Sequence, residues 1–396
     1  MSPSIYLDHH ATTPVDPRVL EAMLPYFTEE FGNASSRTHA YGLRAAAALE
    51  DARERIAAAI GAADPGEIVF TSGTTESDNL ALQGVARAGR ARRSHLVTTR
   101  IEHHAVLDPC RALEAEGFSV SYLSVDAQGT LDPADVAAAL SERTALVSVA
   151  AANGEVGGVQ PLTEIAALCR ERGVLLHSDA AQAIGRIDFD VRAAGVDLCA
   201  FCAHKIYGPK GVGALYVRSG RPRVRIAPLL HGGGQERGLR SGTLPVPLIV
   251  GFARALEICR DELASESARL RELRERLWTQ LQAVGGAHRN GPAAPRLPGN
   301  LNVSFEGIDA VAVLTELEGI ALSTGSACAS GRSEPSHVLA ALGVPPALAR
   351  GAIRFGIGRG NTPEEIDTAA QRIAEAVRAH RRQRRGGAQA GVGGAI

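Results

Sequence analysis

The spacing of apolar positions changes several times along the chain, and each change predicts an element. Residues 5–13 start as a short apolar run and end in a polar turn before Pro14, which reads as a strand. Two helices follow, at 17–29 and at 36–61, the second rich in alanine and arginine, with a polar loop at 31–39 between them. From residue 67, short apolar runs alternate with helical periodicity. Strands are expected at 67–71, 95–99, 118–123, 145–150, 174–177, 197–201 and 212–217, and helices at 76–87, 105–116, 133–140 and 163–172. This alternation predicts an α/β fold with a mostly parallel seven-stranded sheet, whose ligands sit at the carboxyl ends of the strands.

Near residue 250 the pattern changes. A long helix is expected at 248–284, then a Gly/Pro-rich break at 285–299, a strand at 300–305 and a helix at 310–317. A small-residue loop at 323–336 leads to a helix at 338–342, a strand at 352–357 and a final helix from Pro363 to about Arg382. The expected division is a large α/β domain at 16–255 and a smaller α+β domain made of 1–15 and 256–382. Residues 383–396, basic and then Gly/Ala-rich, are expected to form a disordered tail.

Composition narrows the function classes. The 396 residues are 45% hydrophobic and 21% charged with a formal net charge of −1, which argues against a general nucleic-acid or membrane-surface role. No apolar stretch approaches the roughly 20 residues of a bilayer span, and residues 1–8 lack the pattern of a signal peptide. Six cysteines in a chain this long are no disulfide framework. The expected setting is the reduced cytoplasm.

Lysine usage then singles out one stretch. Of 42 basic residues only Lys205 and Lys210 are lysines, and both lie in the turn at 203–211, between two predicted strands. Arginine can replace a solvated lysine charge, but it keeps its proton and forms no Schiff base. The placement points to a covalent or cofactor role at Lys205, against the plainer reading of coincidence or a phosphate contact.

Other strand ends carry polar residues of their own. Residues 72–77, Ser-Gly-Thr-Thr-Glu-Ser, open a helix and suit a phosphate, or simply an N-cap. His103 follows the strand at 95–99, where it would lie over a planar ligand and move protons. Asp179 and Gln182 follow the strand at 174–177, with Asp179 either capping a helix or holding a pyridinium N–H. Together with Lys205 these make a coherent pyridoxal phosphate site. Cys199 and Cys202 form a CxxC along a predicted strand, where they point to opposite faces, so no metal is expected. Cys110, Cys169 and Cys259 fall on helical patterns as core residues. Cys328 sits instead in a loop of small residues with Arg332 nearby, a setting that favours an accessible thiolate.

Five motifs bring a family into view. Tyr6-Leu-Asp-His-His-Ala-Thr-Thr-Pro14, Phe70-Thr-Ser-Gly-Thr-Thr-Glu-Ser-Asp-Asn79 and His204-Lys-Ile-Tyr-Gly-Pro-Lys-Gly211 are joined by His231-Gly-Gly-Gly-Gln-Glu-Arg-Gly-Leu-Arg-Ser-Gly-Thr243 and Gly325-Ser-Ala-Cys328. With them the chain resembles the cysteine desulfurases of the NifS/IscS kind, in the class-V aminotransferase group of fold-type I pyridoxal phosphate enzymes. The longer loop after Cys328 is similar to that of the first class of these enzymes.

The resemblance implies that Lys205 binds pyridoxal 5′-phosphate covalently and later moves protons. It implies His103 stacked on the ring, Asp179 at the pyridine nitrogen and Gln182 at the ring hydroxyl. Thr74, Thr75 and His204 would hold the phosphate, with Thr243 reaching in from the second subunit of a homodimer. Arg354, assisted by Asn33, would take the substrate carboxylate. Cys328 would be the nucleophile that removes sulfur from L-cysteine, giving L-alanine and a persulfide for an acceptor such as an iron–sulfur scaffold or a tRNA-thiolation enzyme. The chain departs from the family in two places. Gly154 stands where a second asparagine usually contacts the cofactor, leaving Asn153 as the residue that would supply that contact, and Cys202 replaces a phosphate-binding serine. The alternatives are a selenocysteine lyase or another class-V aminotransferase, which need no mobile thiol, and a non-catalytic sulfur-carrier scaffold. A nicotinamide oxidoreductase lacks its G-x-G-x-x-G here.

Overall fold

The computed structural model describes residues 5–220, 223–324 and 336–390, without the side chains of 385–390. Cys328 and most of its loop lie outside the described residues. In chain order, β1 (Ile5–Tyr6) is followed by α1 (Pro17–Met23), α2 (Pro25–Thr28) and α3 (Ala40–Ala59). The alternating region holds β2 (Ile68–Thr71), α4 (Thr74–Gly89), β3 (His95–Thr99), α5 (His104–Ala115), β4 (Ser119–Leu123), α6 (Pro133–Ala139) and β5 (Thr144–Ser148). It continues through α7 (Leu162–Glu171), β6 (Leu175–Asp179), β7 (Leu198–Cys202) and β8 (Gly213–Val217). Then come α8 (Val246–Gln282), β9 (Ala287–Arg289), β10 (Asn300–Phe305), α9 (Ala310–Glu316), β11 (Ile320–Ala321), α10 (His337–Ala341), α11 (Pro346–Ala349), β12 (Ala352–Gly356) and α12 (Pro363–Ala390).

Three boundaries differ from expectation. The helix expected at 17–29 is two, because Pro25 cannot continue the α1 hydrogen-bond ladder and opens α2 instead. The helix expected from Ser36 begins only at Ala40, where the His39 ring accepts the Gly42 N–H as an N-cap. The last helix continues past Arg382 to Ala390, through residues that are mostly strong helix formers.

The main sheet has the order β2-β8-β7-β6-β5-β3-β4, parallel except for β8, which runs antiparallel between β2 and β7. Both of its faces are covered, which is why its strands read as continuous apolar runs. In β7, Leu198 and Ala200 pack on the α4–α5 side, while Cys199 and Phe201 join the core on the opposite face. A second sheet, β12-β10-β9, has its own core with the carboxyl-terminal half of α8 and with α12, around Leu277, Phe305, Phe355 and Ile373. The N-terminal strand β1 pairs in parallel with β11 beside that core. No helix of the described residues is long and apolar enough to cross a membrane.

One buried ion pair ties the loop after β8 to the main sheet. Glu236 accepts bonds from Arg53 at 2.8 and 2.9 Å and from the Phe70 N–H at 2.7 Å, with both side chains almost wholly enclosed. The substitution Arg53→Met leaves that carboxylate buried without its cation. The expected loss is about 3–5 kcal/mol, read as a lowered denaturant midpoint; an unchanged midpoint would show that the pair carries little.

Candidate active site

The turn after β7 is shaped by the N-terminal segment. Thr13 donates both its N–H and its hydroxyl to the His204 carbonyl, each at 3.0 Å, and its hydroxyl accepts the Tyr207 N–H at 2.8 Å. Tyr207 sits at φ 65°, a left-handed conformation that a bulky residue adopts only when its surroundings impose it. Those surroundings are the Asp16 N–H on its carbonyl, the Arg359 N–H on its hydroxyl at 2.6 Å and the Arg359 guanidinium 4.3 Å above its ring. The turn presents Lys205, whose Nζ donates to the carbonyls of His10 at 2.8 Å and Ala11 at 2.7 Å.

Asp179 ends β6, buried, with Oδ1 accepting the Ala181 N–H at 2.9 Å. Burial pushes its carboxyl above the usual carboxylate range, while the charges of His103 and Lys205 pull it back. His103 and Lys205 therefore both stand within electrostatic reach of the Asp179 carboxyl. His103 is the N-cap of α5, and its Nδ1 accepts the Ala105 N–H, which leaves Nε2 to carry the ring proton of the neutral form. Gln182 is gripped by His10: its Nε2 donates to the His10 carbonyl at 3.0 Å and its Oε1 lies 2.9 Å from the His10 Nδ1.

Thr74 and Thr75 are the first two residues of α4, whose N-cap, Gly73, offers no side-chain cap. First-turn N–H groups lack intrahelical acceptors, and the buried Thr74 hydroxyl has no hydrogen-bond partner. A phosphate supplies the acceptors such a helix start lacks, so the residues present fit one. Gly213 lets β8 lie against this turn, since a Cβ there would come within 2.7 Å of the Gly73 Cα. The buried Cys202 thiol is pushed up by desolvation and lies beside Thr74. His204, its Nδ1 3.1 Å from the Thr12 hydroxyl, is held down to about 4 by burial and by Lys205, Lys210 and Arg186.

Asn153 is used differently from expectation. Its amide donates to the Ile101 carbonyl and accepts from the N–H groups of Glu155 and Val156, so it holds the turn together. A side chain at Gly154 would point toward the site, because a Cβ there would meet the Gln182 amide at 2.9 Å. Arg354 on β12 is buried. Its guanidinium pairs with Asp8 at 3.0 Å and donates to the Gly154 carbonyl at 3.3 Å, while Nε has no partner. Asn33 and Thr243 are exposed, Asn33 accepting the Ser35 N–H. The loop that precedes Thr243 is anchored to α4 by Arg240, which pairs with Glu76 at 2.7 Å. Cys328 lies outside the described residues.

Three contributors escaped the sequence reading: Asp8, His10 and Arg186. Arg186, partly buried, donates to the carbonyls of Lys205 and His9 and lies 2.9 Å from the His10 Nδ1. The signal for the first two was a polar cluster directly after a strand, the same signal that marked Asp179. Among the described residues no group of acidic, histidine or cysteine side chains forms a metal site.

Comparison with known proteins fits this geometry. Residues 5–368 match the model of the family described as aminotransferase class-V. The chain is 54% identical over 375 residues to the cysteine desulfurase IscS of Anaeromyxobacter dehalogenans, covering 94% of this chain and 92% of that one. It is 50% identical over 375 residues to the human cysteine desulfurase, covering 94% and 82%. Among solved structures, a NifS-like protein superimposes with a TM-score of 0.88 at 42% identity, covering 94% of this chain and 98% of that one. A structure of SspA in complex with cysteine gives 0.80 at 40% identity, covering 89% and 99%.

The N-terminal clasp has a pH signature. His9 is buried, its ring within 3.0 Å of the Gly356 carbonyl, and burial lowers its pKa from 6.5 to about 4. The folded state stays neutral where the unfolded chain takes up a proton, so His9's contribution is complete above pH 6.5 and is lost as pH falls toward 4. That loss is worth about 3 kcal/mol. Thermal unfolding at several pH values is expected to show a shallower acid loss in His9→Gln than in wild type; parallel curves would exclude His9 as the titrating group.

Proposed function

The chain belongs to the class-V aminotransferase family and is a cysteine desulfurase, and on that premise we propose how its residues share the reaction. The cofactor of this reading is pyridoxal 5′-phosphate, linked through Lys205. Asp179 would pair with its pyridine nitrogen, His103 would lie over its ring, and Thr74, Thr75 and His204 would hold its phosphate, with Cys202 beside them. Gln182 serves the ring hydroxyl. The observation that carries the reading is the placement of Asp179, Lys205 and His103 at the carboxyl ends of β6, β7 and β3, with the two basic side chains acting on one carboxyl.

When bound, the cofactor supplies an electron sink for the carbanion left by loss of the substrate α-proton. The protein does the rest. The Lys205 amine, when not linked, is held by the carbonyls of His10 and Ala11, from where it takes and returns protons. A cation at the ring nitrogen favours the charged form of Asp179 that burial otherwise opposes. Arg354 takes the L-cysteine carboxylate in competition with Asp8, and Asn33 assists. The Cys328 thiolate attacks the substrate sulfur: an S–S bond forms as the Cβ–Sγ bond breaks, the electron pair stays with carbon, and a proton completes L-alanine.

The persulfide on Cys328 is passed to an acceptor protein of iron–sulfur assembly or tRNA thiolation. The protein works as a homodimer, in which Thr243 of one chain completes the site of the other. An exposed apolar patch supports this: Leu20, Leu24, Phe27, Phe31, Tyr41 and Leu43 are each about half exposed or more, and patches of this kind mark interaction surfaces. These residues lie on and between α1, α2 and α3, which pack against α8, and α8 begins three residues beyond Thr243. A thiol nucleophile and five described cysteines, all free, suit the reduced cytoplasm.

Intact mass after incubation with L-cysteine, with alanine assayed in parallel, tests the assignment. Wild type is expected to gain one sulfur and form alanine. Cys328→Ala is expected to keep the cofactor yet gain no sulfur, and Lys205→Ala to lose alanine formation by at least about a thousandfold. A cofactor-loaded wild type that gains no sulfur would overturn the role of Cys328.

A further inference from the structure

Behind Asp179 lies a second set of polar groups that the reaction above does not use. Three in-register residues cross the sheet one step below its carboxyl edge: Thr98 on β3 faces Ser148 on β5, which faces His177 on β6. Alternation puts their side chains on the face covered by α4, together with Asp179, which is two residues after His177. The Thr98 hydroxyl donates to the Ser148 carbonyl at 3.0 Å, and the Ser148 hydroxyl is 2.9 Å from the His177 Nδ1. The row ends on Asp78 of α4, whose Oδ1 lies 3.4 Å from the His177 Nε2. Both side chains of this last pair are 0% exposed.

Nothing else answers the Asp78 carboxyl. Neither of its oxygens has a hydrogen-bond partner among the described residues, and neither does the His177 Nε2. The titratable groups that face it are Asp179 on β6, Glu102 before α5 and Cys202 on β7, so that, His177 apart, each would be negative or neutral. An ionised carboxylate there would be buried, without bonded N–H donors, beside a second carboxylate. Such a site favours the neutral acid, since like charges that share an enclosed space cannot both ionise.

We propose that Asp78 and His177 form a neutral pair holding one shared proton, a positioning unit that adds no further anion beside Asp179 at the ring-nitrogen end of the site. The acid O–H of Asp78 donates to the His177 Nε2, and the His177 Nδ1–H donates to Ser148. Desolvation supports this arrangement from both sides, pushing the Asp78 carboxyl far up and the His177 imidazole down to about 3. The consequence for Asp179 rests on its proposed place at the pyridine nitrogen, whereas the protonation of Asp78 does not.

The test separates the two. Infrared spectra of full-length protein with 13C-labelled aspartate, cofactor-free and loaded, are compared between wild type and Asp78→Asn at neutral pH. A protonated-carboxyl band in wild type that disappears in Asp78→Asn supports the pair. Only carboxylate bands in wild type would overturn it. Cofactor binding, followed by fluorescence, then reads the consequence for the site. Asp78→Asn, which keeps a neutral donor toward His177, is expected to bind within about threefold of wild type, and Asp78→Ala about tenfold more weakly. Equal losses in the two would overturn the neutral-donor role. Asp179→Asn serves as the control: unchanged binding there would sink the assignment of Asp179, while the infrared band still decides the state of Asp78.

Discussion

The site depends on one constraint: the Lys205 amine needs acceptors, and the structure supplies them from a segment 195 residues away in sequence. The carbonyls of His10 and Ala11 take that role. They hold their places because Thr13 is bonded into the turn at His204 and Tyr207, and because Arg186 bonds both to the His9 carbonyl and to the Lys205 carbonyl. Loosening the clasp would free the left-handed backbone of Tyr207 as well as the lysine. The same segment is pinned to the second sheet, since the Gly356 N–H bonds to the Leu7 carbonyl and Asp8 pairs with Arg354. The reactive amine and the arginine proposed for the substrate are thus registered through one short stretch of chain.

Electrostatically the region is an enclosure of acids. Asp78, Glu102, Glu155 and Asp179 are all buried, and desolvation raises each of them, Glu102 and Glu155 to about 7. They are answered unequally. Glu102 accepts the Thr99 hydroxyl and the Ala150 N–H, and Asp179 has the Ala181 N–H with Lys205 and His103 nearby. Asp78 has only an imidazole. Placing the least solvated carboxyl on a neutral ring and the partly compensated one at the strand end sorts the charge toward the cleft, where a cationic ring would meet it.

Much of this was legible in the chain. The apolar runs located every strand of the main sheet to within two or three residues, because strands covered on both faces are mostly apolar. Proline and glycine chemistry located the turns, and the rarity of lysine singled out Lys205. Other features left no periodic trace. The strands β9 and β11 have three and two residues, too short for any alternation to register. The break between α1 and α2 needed Pro25 to be read as a helix start rather than tolerated within one.

The sequence by itself determined which elements form and which residue types stand at their ends, since those follow from local periodicity and turn chemistry. It could not decide what each side chain does once there. Asn153, expected at the cofactor, is bonded instead to its own turn and to Ile101. Gly154 leaves room that the Gln182 amide fills, and His10 holds that amide in place. Nothing in the local sequence singles out Asp78, yet it is wholly enclosed against His177. These assignments turn on burial and on contacts between segments far apart in the chain. Only the folded arrangement of sheet, helix α4 and N-terminal clasp sets those.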